Sequence, residues 1–249
     1  MKFKGASYRY SGGAVCVEGL GGSISNCVIQ GNNSNSGQWG ACGSGLSGVN
    51  AKISHCEFFG TAYAHLGDNG WGGALLNLNR SSIENSLIHD VSAHLGIPSQ
   101  ANPHGCIVHL IASDAVNCTL VNSTVDYESA QAVCAESGST VQNCVIFGNH
   151  FGDDVTAGAA GDLSVFDHCA TDGDAAINES CKLITSAAFK DYANGDYRPV
   201  AGGALYNAGV TPTGWEKLTD LAGRPRVIGK TIDIGCYEGN AAGLIVVVR

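Results

Sequence analysis

The chain has 249 residues, of which 35 are glycine and 5 proline, and its 13 Lys and Arg against 22 Asp and Glu give a formal net charge of −9. Glycine at about 14% is roughly twice the usual share, which argues against a helix-rich fold because each interior glycine costs about 1 kcal/mol relative to alanine. A hydrophobic content of 44% is ample for a packed core and excludes disorder. The acidic balance speaks against nucleic acid and anionic membranes as partners.

The amino terminus, Met1 to Ser7, has no apolar stretch of the kind a signal peptide needs and reads as a boundary inside a longer protein. Beyond it one pattern recurs. Ser23-Ile24-Ser25-Asn26-Cys27-Val28-Ile29 is echoed by Lys52-Ile53-Ser54-His55-Cys56-Glu57-Phe58 and by Ser82-Ile83-Glu84-Asn85-Ser86-Leu87-Ile88. Ala115-Val116-Asn117-Cys118-Thr119-Leu120 and Thr140-Val141-Gln142-Asn143-Cys144-Val145-Ile146 continue it. The Asn or His falls at 26, 55, 85, 117 and 143, in steps of 29, 30, 32 and 26. Each copy is a short β-branched segment beside a turn residue, and a second apolar segment precedes most copies (Ala14–Val17, Ala74–Leu78, Cys106–Leu110, Ala132–Ala135). Strand, turn and a period near 29 residues predict one coil of a parallel β-helix per repeat. The fold class is therefore all-β: coils over residues 1–180, with 181–249 as a last coil and irregular C-terminal cap of the same domain. The longest uncharged apolar stretch, Ala241 to Val248, is far too short to span a bilayer.

Eleven cysteines contain no CxxC pair, so zinc is not expected. Cys27, Cys56, Cys118 and Cys144 hold the same place in successive copies, with Ser86 substituting once, and Cys16, Cys106 and Cys134 form a similar set on the preceding segment. Stacking would bring each set into a ladder spaced by about 4.8 Å. Reduced thiols packed as small hydrophobes are the expected state. The Asn column is expected to satisfy turn backbone.

These repeats resemble the right-handed parallel β-helix of the pectin-lyase-like superfamily over roughly residues 10 to 180. In the tail, Asn194-Gly195-Asp196-Tyr197-Arg198 with Asn207-Ala208-Gly209 resembles the "DYRL…GSPAINAG" segment of bacterial secreted β-helix proteins. Asp220-Leu221-Ala222-Gly223-Arg224-Pro225-Arg226 with Asp233-Ile234-Gly235-Cys236-Tyr237-Glu238 resembles their closing "DLAGNPR…DIGAYE" signature. The resemblance extends to β-helical modules of xylanases that bind xylan. It implies an extracellular or cell-surface location, a covalently linked catalytic domain in the full-length protein, and a monomer.

Within that superfamily a lyase needs calcium-binding carboxylates and a base facing an anionic uronate. From Ser81 to Cys181 there is no Lys or Arg, and an anionic substrate is disfavoured on an acidic surface. Phe151-Gly152-Asp153-Asp154 resembles the paired-Asp motif of polygalacturonases, but the accompanying Gly-His-Gly and Arg-Ile-Lys motifs are absent. No catalytic residue is assigned. His65, His94, His104 and His109 lie in or beside the long loops, where they read as acid–base, metal-binding or plain hydrogen-bonding groups. Asp162, Asp167, Asp172, Asp174, Asn178 and Glu179 form an oxygen-rich stretch, with Asp162, Asp172 and Asp174 as calcium candidates or a solvated acidic loop.

The remaining signal is aromatic. Gln38-Trp39-Gly40 and Asp68-Asn69-Gly70-Trp71-Gly72 each end a Gly- and Asn-rich loop shortly before the next coil's strand, with His104-Gly105 at the corresponding place one coil on. Flat indole faces beside Gln38, Asp68, Asn69, His65, His94 and His104 suit a neutral sugar chain, stacking on its C–H faces and bonding its hydroxyls. A lid over the solenoid is the structural alternative for both tryptophans. The expected function is a non-catalytic module binding a neutral plant cell-wall polysaccharide such as xylan. A polysaccharide hydrolase or lyase and a structural adhesin segment are the alternatives.

Overall fold

The computed structural model describes residues 2–4, 15–31, 45–64, 73–95, 106–126, 131–151, 155–173 and 177–239. They form two long parallel sheets that the chain visits alternately, coil after coil. One sheet stacks Val15–Ser25, Leu46–Ser54, Gly73–Asn79 with Ser82–Glu84, Cys106–Ile111 with Asp114–Val116, and Gln131–Ala135 with Thr140–Gln142. The other stacks Val28–Gly31, Glu57–Ala64, Leu87–Leu95, Thr119–Val121, Val145–Phe147, Ala170–Thr171 and Lys182–Leu183. The register advances by whole coils: Ile24 lies opposite Ile53, Ile53 opposite Ile83, Ile83 opposite Ala115, and Ala115 opposite Val141. No α-helix occurs among the described residues, only short 3-10 turns, and none of their helices is long and apolar enough to cross a membrane.

The Asn/His column explains how the chain turns from one sheet to the other. Asn26, His55, Asn85, Asn117 and Asn143 all adopt left-handed backbone, with φ between 46° and 54°, and His168 (φ 50°) adds a sixth copy. Asn tolerates this region better than most residues. A second corner repeats the device at Asp90, Asn122 and Gly148. At Gly148 a Cβ would overlap the Tyr192 hydroxyl, so the corner needs glycine for room as well as for its φ of 63°.

Inside the coils Ile29, Ile53, Phe58, Ile83, Ile88, Val108, Leu120, Val141, Ile146 and Phe166 make one continuous core. Ten cysteines are described, and all are thiols. Cys56, Cys118, Cys144, Cys169 and Cys181 line that core in successive coils, so the expected ladder runs two positions further than the clear repeats. Ser86 fits the series because its hydroxyl accepts from Cys56 N (3.1 Å) and donates to Glu84 O (2.8 Å). The second cysteine set is corrected. Cys134 lies opposite His109, and His109 opposite Asn77, whereas Cys106 pairs with Gln131 and Gly73. Cys106 lies three residues ahead of His109 on the same strand, at the first paired position, and so falls outside that column.

Residues 184–239 lie along the outside of the second sheet. Leu87, Val121, Val145 and Phe147 point outward there and pack with Ile184, Phe189, Tyr197, Leu205, Ile234 and Cys236 in a second core. The Asn column anchors this segment to the corners. Asn117 Nδ2 donates to Asp233 O (3.0 Å), Asn143 Nδ2 to Val210 O (2.8 Å), and Val210 N returns a bond to Asn143 Oδ1 (2.9 Å). His55 Nε2 meets Thr219 O at 2.9 Å, so the segment reaches back to an early coil. Asn143→Ala should therefore lose both the left-handed preference and the docking bonds, about 2 kcal/mol in urea unfolding. Asn143→Gly, which keeps the backbone freedom, should lose about half of that. Equal losses would assign the whole effect to the side-chain bonds.

Candidate functional site

Segments 32–44, 65–72 and 96–105 lead into Leu46–Ser54, Gly73–Asn79 and Cys106–Ile111, and those strands pair directly with one another. The attachment points therefore stack along one edge, about 4.8 Å apart per coil. Trp39, Gln38, His65, Asp68, Asn69, Trp71 and His104 lie outside the described residues, as do Asp153, Asp154 and Asp174.

Two histidine–carboxylate pairs bracket segment 96–105. Before it, His94 Nδ1 lies 3.1 Å from Asp126 Oδ2, one coil on, with both side chains exposed. After it, His109 Nε2 lies 2.9 Å from Glu136 Oε1, and here the imidazole is buried. Burial lowers the His109 pKa, and the adjacent Glu136 carboxylate only partly offsets this. At neutral pH the ring is a neutral donor or acceptor. Its Nδ1 is buried with no hydrogen bond among the described residues, and so is Oδ1 of Asn77, the residue opposite it on the neighbouring strand. The outward face of this sheet thus carries a polar row, Ser47, Asn77, His109 and Cys134, at the foot of the long segments. Such a row can hold hydroxyl groups from either side of a hydrogen bond.

Sequence reasoning singled out His94 and His109 but not Asp126, Glu136 or Asn77. The signal was available: each acid follows its histidine by about one repeat, 32 and 27 residues.

The calcium candidates are engaged in other ways. Asp162 caps a 3-10 turn, accepting from Ser164 N (3.1 Å), Ser164 Oγ (2.6 Å) and Ser137 Oγ (2.9 Å), and these bonds hold its carboxyl below the usual range. Asp172 accepts from Gly148 N at 2.7 Å, in a different coil corner. Burial pushes Asp167 up, but bonds from Gln142 and His168 outweigh it and leave the pKa lowered. Asn178 bonds Ser180, Leu163 O and Phe166 O. Among the described residues no three His, Cys, Asp or Glu converge as metal ligands.

Coils stacked in register around one apolar interior define a parallel β-helix protein. A family model described as "Right handed beta helix region" matches residues 2–170, and the chain belongs to that family. Among solved structures it is similar to the crystal structure of pectate lyase Pel9A, at 12% identity and a TM-score of 0.37, over 96% of this chain and 70% of the other. No curated protein sequence matches the chain.

Proposed function

We propose that this β-helix binds a neutral plant cell-wall polysaccharide such as xylan without cleaving it, as a module of a larger secreted or cell-surface protein. One observation supports the reading: Leu46–Ser54, Gly73–Asn79 and Cys106–Ile111, the strands that the segments carrying Trp39, Trp71 and His104 precede in sequence, pair with one another coil by coil. The coil spacing of about 4.8 Å is close to the rise of one sugar in an extended β-linked chain. Asn77 and His109, neighbours on the outward face of these strands, supply polar groups able to bond hydroxyls, which suits a neutral glycan. An oxidising exterior is compatible with the buried ladder thiol Cys56, which burial pushes up to about 11 and so keeps protonated and unreactive.

Affinity electrophoresis against xylan, glucan, mannan and pectin, with reducing-sugar release followed in parallel, tests the proposal. Retarded migration on xylan without product is the expected result. Product would favour a hydrolase, for which the His109–Glu136 pair is the described acid–base candidate. Trp39→Ala and Trp71→Ala should each weaken retardation severely while shifting stability by less than about 1 kcal/mol. Unchanged migration of both variants would make the tryptophans lid residues and remove this site.

A further inference from the structure

Among the described residues the interior of the coils ends open. Along the second sheet one core column runs Ile29, Phe58, Ile88, Leu120, Ile146, Thr171 and Leu183, each opposite the next. Its first six members are at most 3% exposed, whereas Leu183 is 52% exposed. Leu183 belongs to the strand Lys182–Leu183, which among the described residues pairs on one side only, with Ala170–Thr171. Lys182 N and Ile184 N donate to that neighbour, at Cys169 O and Thr171 O (2.8 Å each). The N–H and C=O of Leu183 itself therefore face the open side.

The final coil is exposed at a second point. Leu163, in the 3-10 turn Leu163–Val165, is exposed too. Asn178 joins that turn to the last strand: its Nδ2 donates to Leu163 O (3.1 Å) and its carbonyl accepts from Cys181 N (3.1 Å). A solenoid needs a terminal element over such a rung, and an open strand edge is a template for further pairing. Residues 184–239 do not supply it, because Ile184, Phe189 and Ile234 pack on the outward face of the sheet.

We propose that Leu244-Ile245-Val246-Val247-Val248, which lies outside the described residues, docks on this rung as one further strand and continues the Leu183 column. Its composition fits the seat. Four of its five residues are β-branched and none is charged, the make-up of a strand buried on both faces. Left in water, the same run would invite pairing between chains. The distance also fits. Gly239 lies against Pro199, where a Cβ would come 2.9 Å from Pro199 O, and Pro199 pairs with Phe189. From Phe189 back to Leu183 the backbone spans at most about 20 Å, and the two contacts add about 10 Å. Residues 240–249 reach about 33 Å when extended.

The proposal is independent of the glycan reading, and its test needs no ligand. Amide exchange of the ¹⁵N-labelled full chain would be followed by NMR at low and high protein concentration. The expected result is exchange at residues 244–248 about a hundredfold or more slower than in an unstructured peptide of the same sequence, at either concentration. Leu183→Asp should cut that protection about tenfold or more, while Leu218→Asp, an exposed site beside the early coils, should leave it unchanged. Removing residues 240–249 should speed exchange of the Leu183 amide about tenfold. If that shortened chain fails to fold, the full-chain measurements decide alone. Free exchange at 244–248 overturns the proposal. Protection that grows with concentration does so as well, because the occupant is then a second copy. Protection that survives Leu183→Asp places the segment elsewhere and equally overturns it.

Discussion

Arg226→Ala should lose about 3–5 kcal/mol of stability in urea unfolding at pH 9, where Glu238 is ionised and the change breaks a buried ion pair from one side. Arg226 is fully buried, with Nη2 at 3.1 Å from Glu238 Oε1 and 3.0 Å from Asp233 O. Removing it leaves a cluster of buried acids without their central cation. Asp233 takes Asn207 N (2.6 Å) and Gly239 N, Asp220 takes Glu238 N (2.8 Å), and Asp233 N donates to Glu238 Oε1 (3.1 Å). These bonds tie residues 207, 220, 226, 233 and 238 into one knot that holds the tail against the coils. The same site allows a second, discriminating variant. Arg226 Nε and Nη1 and Glu238 Oε2 are buried with no hydrogen bond among the described residues, so the pair is imperfectly satisfied. Replacing both members at once, as Arg226→Met with Glu238→Gln, should recover more than half of the loss. An Arg226→Ala variant within about 1 kcal/mol of the parent would show that the knot is dispensable.

That knot gives the closing signature a physical meaning. Asp220, Arg224, Arg226, Asp233 and Glu238 are legible in the sequence as a motif, but their partners are not, because each bond spans a separation set by the tertiary fold. The coils were far easier to read. A left-handed corner selects Asn, so Asn26, Asn85, Asn117 and Asn143 mark the turns at a visible period. His168 escaped notice because its flanking residues, Phe166-Asp167-His168-Cys169, lack the β-branched alternation of the other copies. The path of the tail along the second sheet was also written locally. Thr119-Leu120-Val121 and Val145-Ile146-Phe147 are buried at every position, and an unbroken run of this kind signals a strand covered on both faces. What the sequence could not supply was the identity of the cover. For the site, the histidines were legible as residue types, whereas Asp126 and Glu136 become partners only once the coils are in register.

Stability should also decline as pH rises from about 5 to 9, at up to about 1.4 kcal/mol per pH unit where a single group dominates. Glu238 is the main source. Burial pushes its pKa from 4.5 to about 8, although nearby Arg226 works in the other direction. The folded chain therefore retains a proton that the unfolded chain releases above 4.5. Its contribution is complete below that value, diminishes as the unfolded state ionises, and is lost once pH passes about 8. Asp233, raised chiefly by burial, acts in the same sense. Asp196 acts oppositely: its bonds from Arg198 lower its pKa, so its contribution is present above 3.8 and disappears as pH falls below that value. Urea unfolding at a series of pH values should thus show a maximum on the acid side of neutrality. Glu238→Gln, which mimics the protonated carboxyl at every pH, should flatten the alkaline limb while leaving stability near pH 5 within about 1 kcal/mol of the parent. If the variant keeps the parent's slope between pH 5 and 9, the proton resides on another group, and Asp233 is the next to replace.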